Sequence, residues 1–259
     1  MRETLTGRKG HPGLELLRRY RYAHRGFHDK PQIPENSLPA FRRAVEHGFG
    51  AELDIHLTKD GKLVVFHDSD LMRCTGTEGI LESKTLAELR KLRLEGTDER
   101  IPLFDEVLDI FENATPLIIE LKSYGGNHEA LAKAAVKRLD RYKGDYCIES
   151  FDPRAIADIR KLRPGIVRGQ LATNFRADPG SAPKGTAGLL TDLVLNTLSR
   201  PDFVAYDFKY RNQPAFIKAV RSGIQGVAWT ITTPKDLKAA EALHYIPIFE
   251  RFDPNEETV

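Results

Sequence analysis

Short apolar runs alternate along this chain with longer stretches whose apolar residues recur every three or four positions. A period of two marks a strand and a period near 3.6 marks a helix with one face on a core. The alternation predicts repeated βα units and a parallel sheet. Eight strands are expected: Tyr22–Gly26, Ala51–Leu57, Pro116–Leu121, Tyr146–Ser150, Ile166–Leu171, Phe203–Tyr206, Gly226–Thr230 and Ile246–Phe249. Ser37-Leu38-Pro39 offers a cap and an early proline to a helix over Ala40–His47, and Pro102 opens another over Leu103–Phe111. Glu129–Tyr142 carries Leu131, Ala135 and Leu139 on one face. Asp152-Pro153 starts a helix to Leu162 that Pro164-Gly165 stops, and Pro234 opens the last one, through Leu243.

Eight strands with covering helices predict an α/β fold, a closed (β/α)8 barrel in one domain over residues 22–259, after an N-terminal extension over residues 1–21. An open doubly wound sheet is the competing architecture, but no Gly-x-Gly-x-x-Gly turn follows the first strand. The segment Thr173–Gly188, rich in Gly, Pro, Ala and Asp, is expected to form a mobile loop near the barrel mouth. Thr58-Lys59-Asp60-Gly61 lies between two alternating segments, and Asp-Gly is a strong hairpin signal. If Asp60 and Gly61 form a two-residue turn, Lys59 faces Lys62 and His67 faces Asp54. Opposed side chains share a face, so this register would bring His67 back over the second strand, with Leu63–Phe66 as a hairpin arm outside the barrel.

The second strand carries the first chemical signal. Glu52 and Asp54 are two apart and point to one face, with Ala51, Leu53 and Ile55 on the other. Carboxylates side by side inside a barrel resist ionisation unless a cation joins them. Glu120, near the end of the next barrel strand, supplies a third oxygen donor. An all-carboxylate set suits one hard divalent cation, Mg²⁺ or Ca²⁺ with Mn²⁺ as a third option, rather than zinc. A Glu-x-Asp pair alone is usually an exposed strand face with ordinary salt bridges. Here it sits in order with two histidine motifs and Glu120-Leu121-Lys122.

His24 ends the first strand and His67 follows the second, and barrel strands end at the catalytic face. Imidazoles titrate near neutrality and can serve as base and acid. Of the eight histidines, His28 and His56 are the reserve candidates, with His56 farther out along the Asp54 face. Arg25 and Lys122 are candidate phosphate ligands, one a planar fork and the other a compact charge. Glu35 and Asn36 are read as bracing the loop or Arg25 in preference to binding metal. Trp229, the only tryptophan, is a candidate wall of the substrate pocket, with a plain core role as the alternative.

Composition narrows the partners. The 259 residues are 41% hydrophobic and 29% charged, enough for a sizeable core. A formal net charge of +2 with no Lys/Arg block gives no footprint for nucleic acid. No apolar run reaches the roughly 18 residues a membrane span requires, so no stable membrane insertion is expected. Charge at the N-terminus is not followed by an apolar stretch, which argues against a signal peptide. Two distant cysteines, Cys74 and Cys147, fit neither a disulfide framework nor a zinc site, and a cytoplasmic enzyme with reduced thiols is expected.

The ordered motifs Ala23-His24-Arg25-Gly26, Pro34-Glu35-Asn36-Ser37, Glu52-Leu53-Asp54-Ile55, Thr58-Lys59-Asp60-Gly61, Val64-Val65-Phe66-His67-Asp68 and Glu120-Leu121-Lys122 resemble the glycerophosphodiester phosphodiesterase family. The resemblance runs from Tyr22 to about Thr230 and is strongest in its first part. It implies a (β/α)8 barrel related to phosphoinositide-specific phospholipase C. It further implies His24 and His67 as the acid/base pair, Glu52, Asp54 and Glu120 as metal ligands, and Arg25 and Lys122 near the phosphate. Ser37 stands where the family often has Thr. Ile231-Thr232 follows Trp229-Thr230 where an Asn is common, and Ile248–Phe252 lacks the usual Thr-Asp pair. The long insertion that some members carry between the metal-binding halves is missing. These departures bear on pocket shape and alcohol specificity. The expected reaction is metal-dependent cleavage of a small-molecule glycerophosphodiester to an alcohol and sn-glycerol 3-phosphate. The attacking oxygen is water or the substrate's own glycerol hydroxyl, and His24 is mildly favoured as the base. A lysophospholipase D, a cyclising phosphodiester lyase and a non-catalytic phosphate-binding barrel are the alternatives.

Overall fold

The computed structural model describes residues 1–177 and 185–256. Eight strands form the barrel: β1 (Tyr22–Ala23), β2 (Gly50–Leu57), β3 (Leu117–Leu121), β4 (Tyr146–Ser150), β5 (Arg168–Ala172), β6 (Phe203–Asp207), β7 (Gln225–Ile231) and β8 (Ile246–Phe249). They run in sequence order around the sheet, and β1 pairs with both β2 and β8, so the sheet closes as the expected parallel (β/α)8 barrel. The chain forms two compact units, Tyr20–Tyr146 and Met1–Arg19 with Cys147–Val259.

In the Tyr20–Tyr146 unit, Ser37 caps the helix Leu38–Glu46 by accepting from Ala40 N, and Pro39 sits in its first turn. This helix buries Ala40, Phe41 and Ala44, and Phe41 meets Phe111 of the helix Phe104–Phe111 edge to face at 5.9 Å. The helix His128–Leu139 buries Leu131, Ala135 and Leu139, the stripe expected from the sequence. Residues 67–100 build a small satellite core from Leu71, Cys74, Leu81, Leu89 and Leu94 against Val64 and Phe66 of the hairpin. The short helices Met72–Thr75 and Leu86–Leu89 in this stretch have too few turns to leave a periodic signal.

The hairpin is present, but its register corrects the expected one. Ile55 pairs with Val65, His56 with Val64 and Leu57 with Leu63, and Phe66 N donates to Asp54 O. The loop therefore spans three residues, Lys59-Asp60-Gly61, not two. Gly61 at φ 74° supplies the left-handed residue that a three-residue hairpin loop requires. Thr58 sets this choice: its hydroxyl donates to Asp60 Oδ1 at 2.6 Å and accepts from Lys62 N at 2.9 Å. A slip of one residue puts Phe66, not His67, opposite Asp54.

In the other unit, Asp152 and Thr233 cap the helices Pro153–Leu162 and Pro234–Ala242. A helix that the sequence reading did not assign, Pro214–Arg221, opens on its own proline between β6 and β7 and buries Phe216. The first residues carry a buried anchor: Arg8 pairs with Asp202 through Nε at 2.5 Å and donates Nη2 to Ile166 O at 2.8 Å. Part of the expected loop Thr173–Gly188, residues 178–184, lies outside the described residues. At its edges Phe175 packs into the core around Tyr206 and Phe216, and the short helix Ala187–Thr191 begins.

Candidate active site

The polar residues singled out in the first half of the sequence gather in the Tyr20–Tyr146 unit. They do so because β2 and β3 are in parallel register with Asp54 beside Glu120. Neighbouring positions on paired strands share a face. Glu52, two residues before Asp54, joins them, and carboxylate oxygens of all three lie within 4.8 Å of one another. All three are buried, at 3%, 1% and 6% exposure for Glu52, Asp54 and Glu120.

His24 and Arg25 leave the end of β1 into a tight turn. Arg25 holds a left-handed φ of 55°, and Gly26 follows at 79°. A Cβ on Gly26 would stand 2.9 Å from Ala40 Cβ, so glycine lets this turn lie against the helix Leu38–Glu46. The turn aims Arg25 N at Glu52 Oε2, 3.1 Å away, and leaves His24 Nε2 3.9 Å from the same oxygen. Asn36 also has a left-handed φ, 54°, and its N donates to Arg25 O. Its Nδ2 donates to Asp54 Oδ2 at 2.8 Å. Non-glycine residues held at positive φ store strain that the surrounding structure must support.

Two cations complete the cluster. Lys122 Nζ stands 3.1 Å from Asp54 Oδ1 and 3.0 Å from Glu120 Oε1. Arg25 Nε stands 3.7 Å from Asp54 Oδ2, while its Nη1 donates to Glu35 Oε1 at 2.9 Å. Burial disfavours the Asp54 carboxylate, but Lys122, His67 and Arg25 outweigh it and hold its pKa well below the usual range. Glu120 goes the other way: burial, reinforced by the neighbouring Asp54 charge, pushes it up to about 7 against the pull of Lys122. Adjacent carboxylates divide in this way when the site holds more negative charge than its own cations neutralise. Burial also works against Lys122, and Asp54 and Glu120 keep its pKa high. Two buried polar atoms here, Arg25 Nε and Asn36 Oδ1, have no hydrogen-bond partner among the described residues.

His67 reaches this site even though the expected register fails. The chain leaves the ladder after Phe66, and the imidazole lies near enough to Asp54 and Lys122 for their charges to act on it. Burial, with Lys122, lowers its pKa, and Asp54 opposes them. Its Nδ1 lies 2.5 Å from Asp68 Oδ1. A carboxylate accepts, so Nδ1 carries the proton and the lone pair of the neutral ring sits on Nε2. His56 has a supporting place: it is buried, its Nδ1 lies 2.6 Å from Glu82 Oε1, and its Nε2 donates to the backbone oxygen of His67 at 3.2 Å. His28, the other reserve candidate, is half-buried just beyond Gly26.

Several residues with structural claims on the site were not singled out in the sequence. Arg73 donates from Nε to Asp68 and from both Nη atoms to Glu35, and Lys30 pairs with Glu35 and with Glu95. Asp68 carries a signal, standing next to His67 in Val64-Val65-Phe66-His67-Asp68. Arg73, Lys30, Glu82 and Glu95 carry none, because their partners are distant in sequence and no periodicity links them. Trp229 belongs to the other unit, on β7, where its ring meets Phe151 edge to face at 5.6 Å. Both cysteines are free and buried, and burial, with Glu35 adding, pushes the Cys74 thiol up to about 12.

Known proteins share this framework. Residues 24–250 match the family model described as the glycerophosphoryl diester phosphodiesterase family. A glycerophosphodiester phosphodiesterase of Caldanaerobacter subterraneus subsp. tengcongensis is 39% identical over 229 residues, covering 83% of this chain and 87% of the relative. The human lysophospholipase D GDPD1 is 36% identical over 125 residues, covering 43% of this chain and 38% of its own length. Among solved structures, an Oleispira antarctica phosphodiesterase in complex with the product sn-glycerol-3-phosphate superposes with a TM-score of 0.72 at 26% identity, covering 89% of this chain and 92% of the other. With its barrel closed and the motif residues of β1, β2 and β3 gathered in one buried cluster, the chain belongs to the glycerophosphoryl diester phosphodiesterase family, enzymes that hydrolyse phosphoric diesters.

Proposed function

We propose that the chain hydrolyses glycerophosphodiesters to an alcohol and sn-glycerol 3-phosphate, with one divalent cation and two histidines as proton carriers. The observation that supports this most is the trio Glu52, Asp54 and Glu120, buried with oxygens within 4.8 Å of one another. The donors are all oxygen, which fits Mg²⁺, Ca²⁺ or Mn²⁺. The raised pKa of Glu120 marks a site that gains from further positive charge. When bound there, such an ion supplies Lewis acidity to a phosphoryl oxygen. Arg25 and Lys122 bind and orient the phosphate and stabilise charge on it as the in-line displacement proceeds. One imidazole takes the proton of the attacking oxygen, and the other gives a proton to the departing alkoxide as its P–O bond breaks. Two free, buried thiols accord with a reducing, cytoplasmic setting. No helix among the described residues is long and apolar enough to cross a membrane.

The deciding experiment is an assay of chelated protein on glycerophosphocholine and related diesters, restoring Mg²⁺, Ca²⁺ and Mn²⁺ one at a time. Activity that survives complete chelation overturns the metal-dependent reading. Phosphorus NMR of the same reaction separates attack by water from attack by the glycerol hydroxyl, since only the second passes through a cyclic phosphate. The partial likeness to a lysophospholipase D supports a second reading. Turnover of lysophospholipid micelles without turnover of glycerophosphocholine selects it.

Stability carries an independent signature of the same site. The folded-state pKa of Glu120 is raised from 4.5 to about 7, so the folded metal-free protein holds a proton that the unfolded chain releases. Its stabilising contribution is complete below about 4.5 and is lost as pH rises through about 7. His67, with its pKa lowered, opposes part of this trend. The difference between wild type and Glu120→Gln isolates it. A cation at 100 times its Kd should add about 2.7 kcal/mol. That corresponds to a rise of roughly 5–10 °C in the thermal midpoint. Glu120→Gln should flatten the neutral-pH decline and remove most of the cation-induced gain. Thermal unfolding with chelator or Mg²⁺ from pH 4.5 to 8 checks both, and identical pH profiles for the two proteins would refute the assignment.

A further inference from the structure

We propose that Arg73 is a positioning residue for the reaction, tying the imidazole of His67 to the guanidinium of Arg25 through two carboxylates. Arg73 lies on the short helix Met72–Thr75, which the buried Leu71 and Cys74 seat on the satellite core. One planar guanidinium serves two acids. Its Nε donates to Asp68 Oδ2 at 2.5 Å, and Nη1 and Nη2 donate to Glu35 Oε2 and Oε1 at 3.1 and 2.7 Å. The other oxygen of Asp68 holds His67 Nδ1 at 2.5 Å, and Glu35 Oε1 accepts from Arg25 Nη1 at 2.9 Å. A continuous run of charged contacts thus joins the proton carrier to the phosphate ligand.

Each link has a consequence for the chemistry. Asp68 accepts from Nδ1 and so keeps the lone pair of His67 on Nε2. A carboxylate that holds one imidazole tautomer must itself be held, or it can rotate away from the ring. Arg73 does this from the far oxygen, and its remaining prongs lock onto Glu35, which is only 5% exposed. Glu35 sets the direction of Arg25, whose main chain is already constrained at a left-handed φ. The separation between His67 Nε2 and the Arg25 fork is therefore set by a bridge whose members, Asp68, Arg73 and Glu35, lie outside the trio Glu52, Asp54 and Glu120. Lysine could not replace it, because a point charge cannot span two carboxylates with a rigid fork.

This inference rests on reading His67 as a proton carrier and Arg25 as a phosphate ligand, and its test separates the two failures. Arg73→Ala and Arg73→Lys should each lower kcat on glycerophosphocholine by about 10- to 100-fold, with a smaller rise in KM. Guanidinium ion in the buffer should restore part of the loss in Arg73→Ala but none in the Asp68→Ala, Arg73→Ala double variant. Proton NMR should find the Nδ1–H of His67 far downfield in wild type, absent in Asp68→Asn and shifted upfield in Arg73→Ala. The Arg73 side chain is 44% exposed, so the variants should fold, and their thermal midpoints check this. If His67→Ala is inactive while both Arg73 variants keep wild-type kcat and an unshifted resonance, the bridge alone is wrong. If His67→Ala keeps full activity, the reading of His67 fails and the inference falls with it.

Discussion

Replacing His67 with alanine should lower kcat by about 10²–10⁴-fold on glycerophosphocholine at saturating cation, and replacing His24 should do the same. The loss corresponds to roughly 3–5 kcal/mol of transition-state stabilisation. Asp68 holds the Nδ1–H of His67, which leaves the lone pair of the neutral ring on Nε2, and burial with Lys122 keeps the ring below its ordinary pKa. His24 follows the end of β1, with Nε2 3.9 Å from Glu52. Neither ring belongs to the carboxylate trio, so the cation-induced rise in thermal midpoint should survive in both variants. Steady-state kinetics paired with thermal unfolding therefore separates loss of a proton carrier from loss of the cation. Full activity in both variants would end the two-histidine assignment.

Removing the carboxylate of Glu35 should produce the largest change in stability. Glu35 is 5% exposed and receives Arg25, Arg73 and Lys30. Burial opposes its ionisation, but Arg73, Arg25 and Lys30 overcome it and hold its pKa far below the usual carboxylate range. Glu35→Ala strips the shared counterion from three cations. Breaking a buried pair by removing one partner typically costs about 3–5 kcal/mol. The lower end applies here, because Arg73 and Lys30, at 44% and 35% exposure, can turn toward water while Arg25, at 16%, cannot. About 3 kcal/mol should appear as a fall of roughly 6–12 °C in the thermal midpoint. Because the folded pKa is depressed, this stabilisation is present above the unfolded value and is lost as pH falls below it. Glu35→Gln should therefore weaken the dependence of stability on pH on the acid side. Urea unfolding at pH 7 and pH 4 checks the size and the sign. Stability within about 0.5 kcal/mol of wild type would show that the three cations do not depend on this group.

The hairpin shows how far local reading reaches. Asp60-Gly61 marked the turn, and Leu63–Val65 does run antiparallel to β2. Asp-Gly serves two- and three-residue loops alike, and the choice fell to the Thr58 hydroxyl and to Asp60 Oδ1, which also accepts from Leu86 N. Leu86 is a tertiary neighbour, so no inspection of the turn sequence could supply it. His67 nonetheless arrives at Asp54, because the chain beyond the ladder is held by His56 on its backbone and Asp68 on its ring.

Glu52, Asp54 and Glu120 were legible from the chain because strand periodicity is a property of the backbone itself. Alternation by two puts the first pair on one face whatever surrounds them, and adjacent parallel strands bring the third alongside. The order of the eight strands and the types of group they carry were determined in the same way. The opposing pKa shifts of Asp54 and Glu120 and the bridge from His67 through Asp68, Arg73 and Glu35 to Arg25 were decided only by tertiary structure. Arg73 and Glu35 are 38 positions apart, and the path that joins them depends on a satellite core of short helices with no periodic signature. Local geometry repeats along the backbone and can be read from it. Burial and long-range charge pairing exist only once the chain has closed on itself.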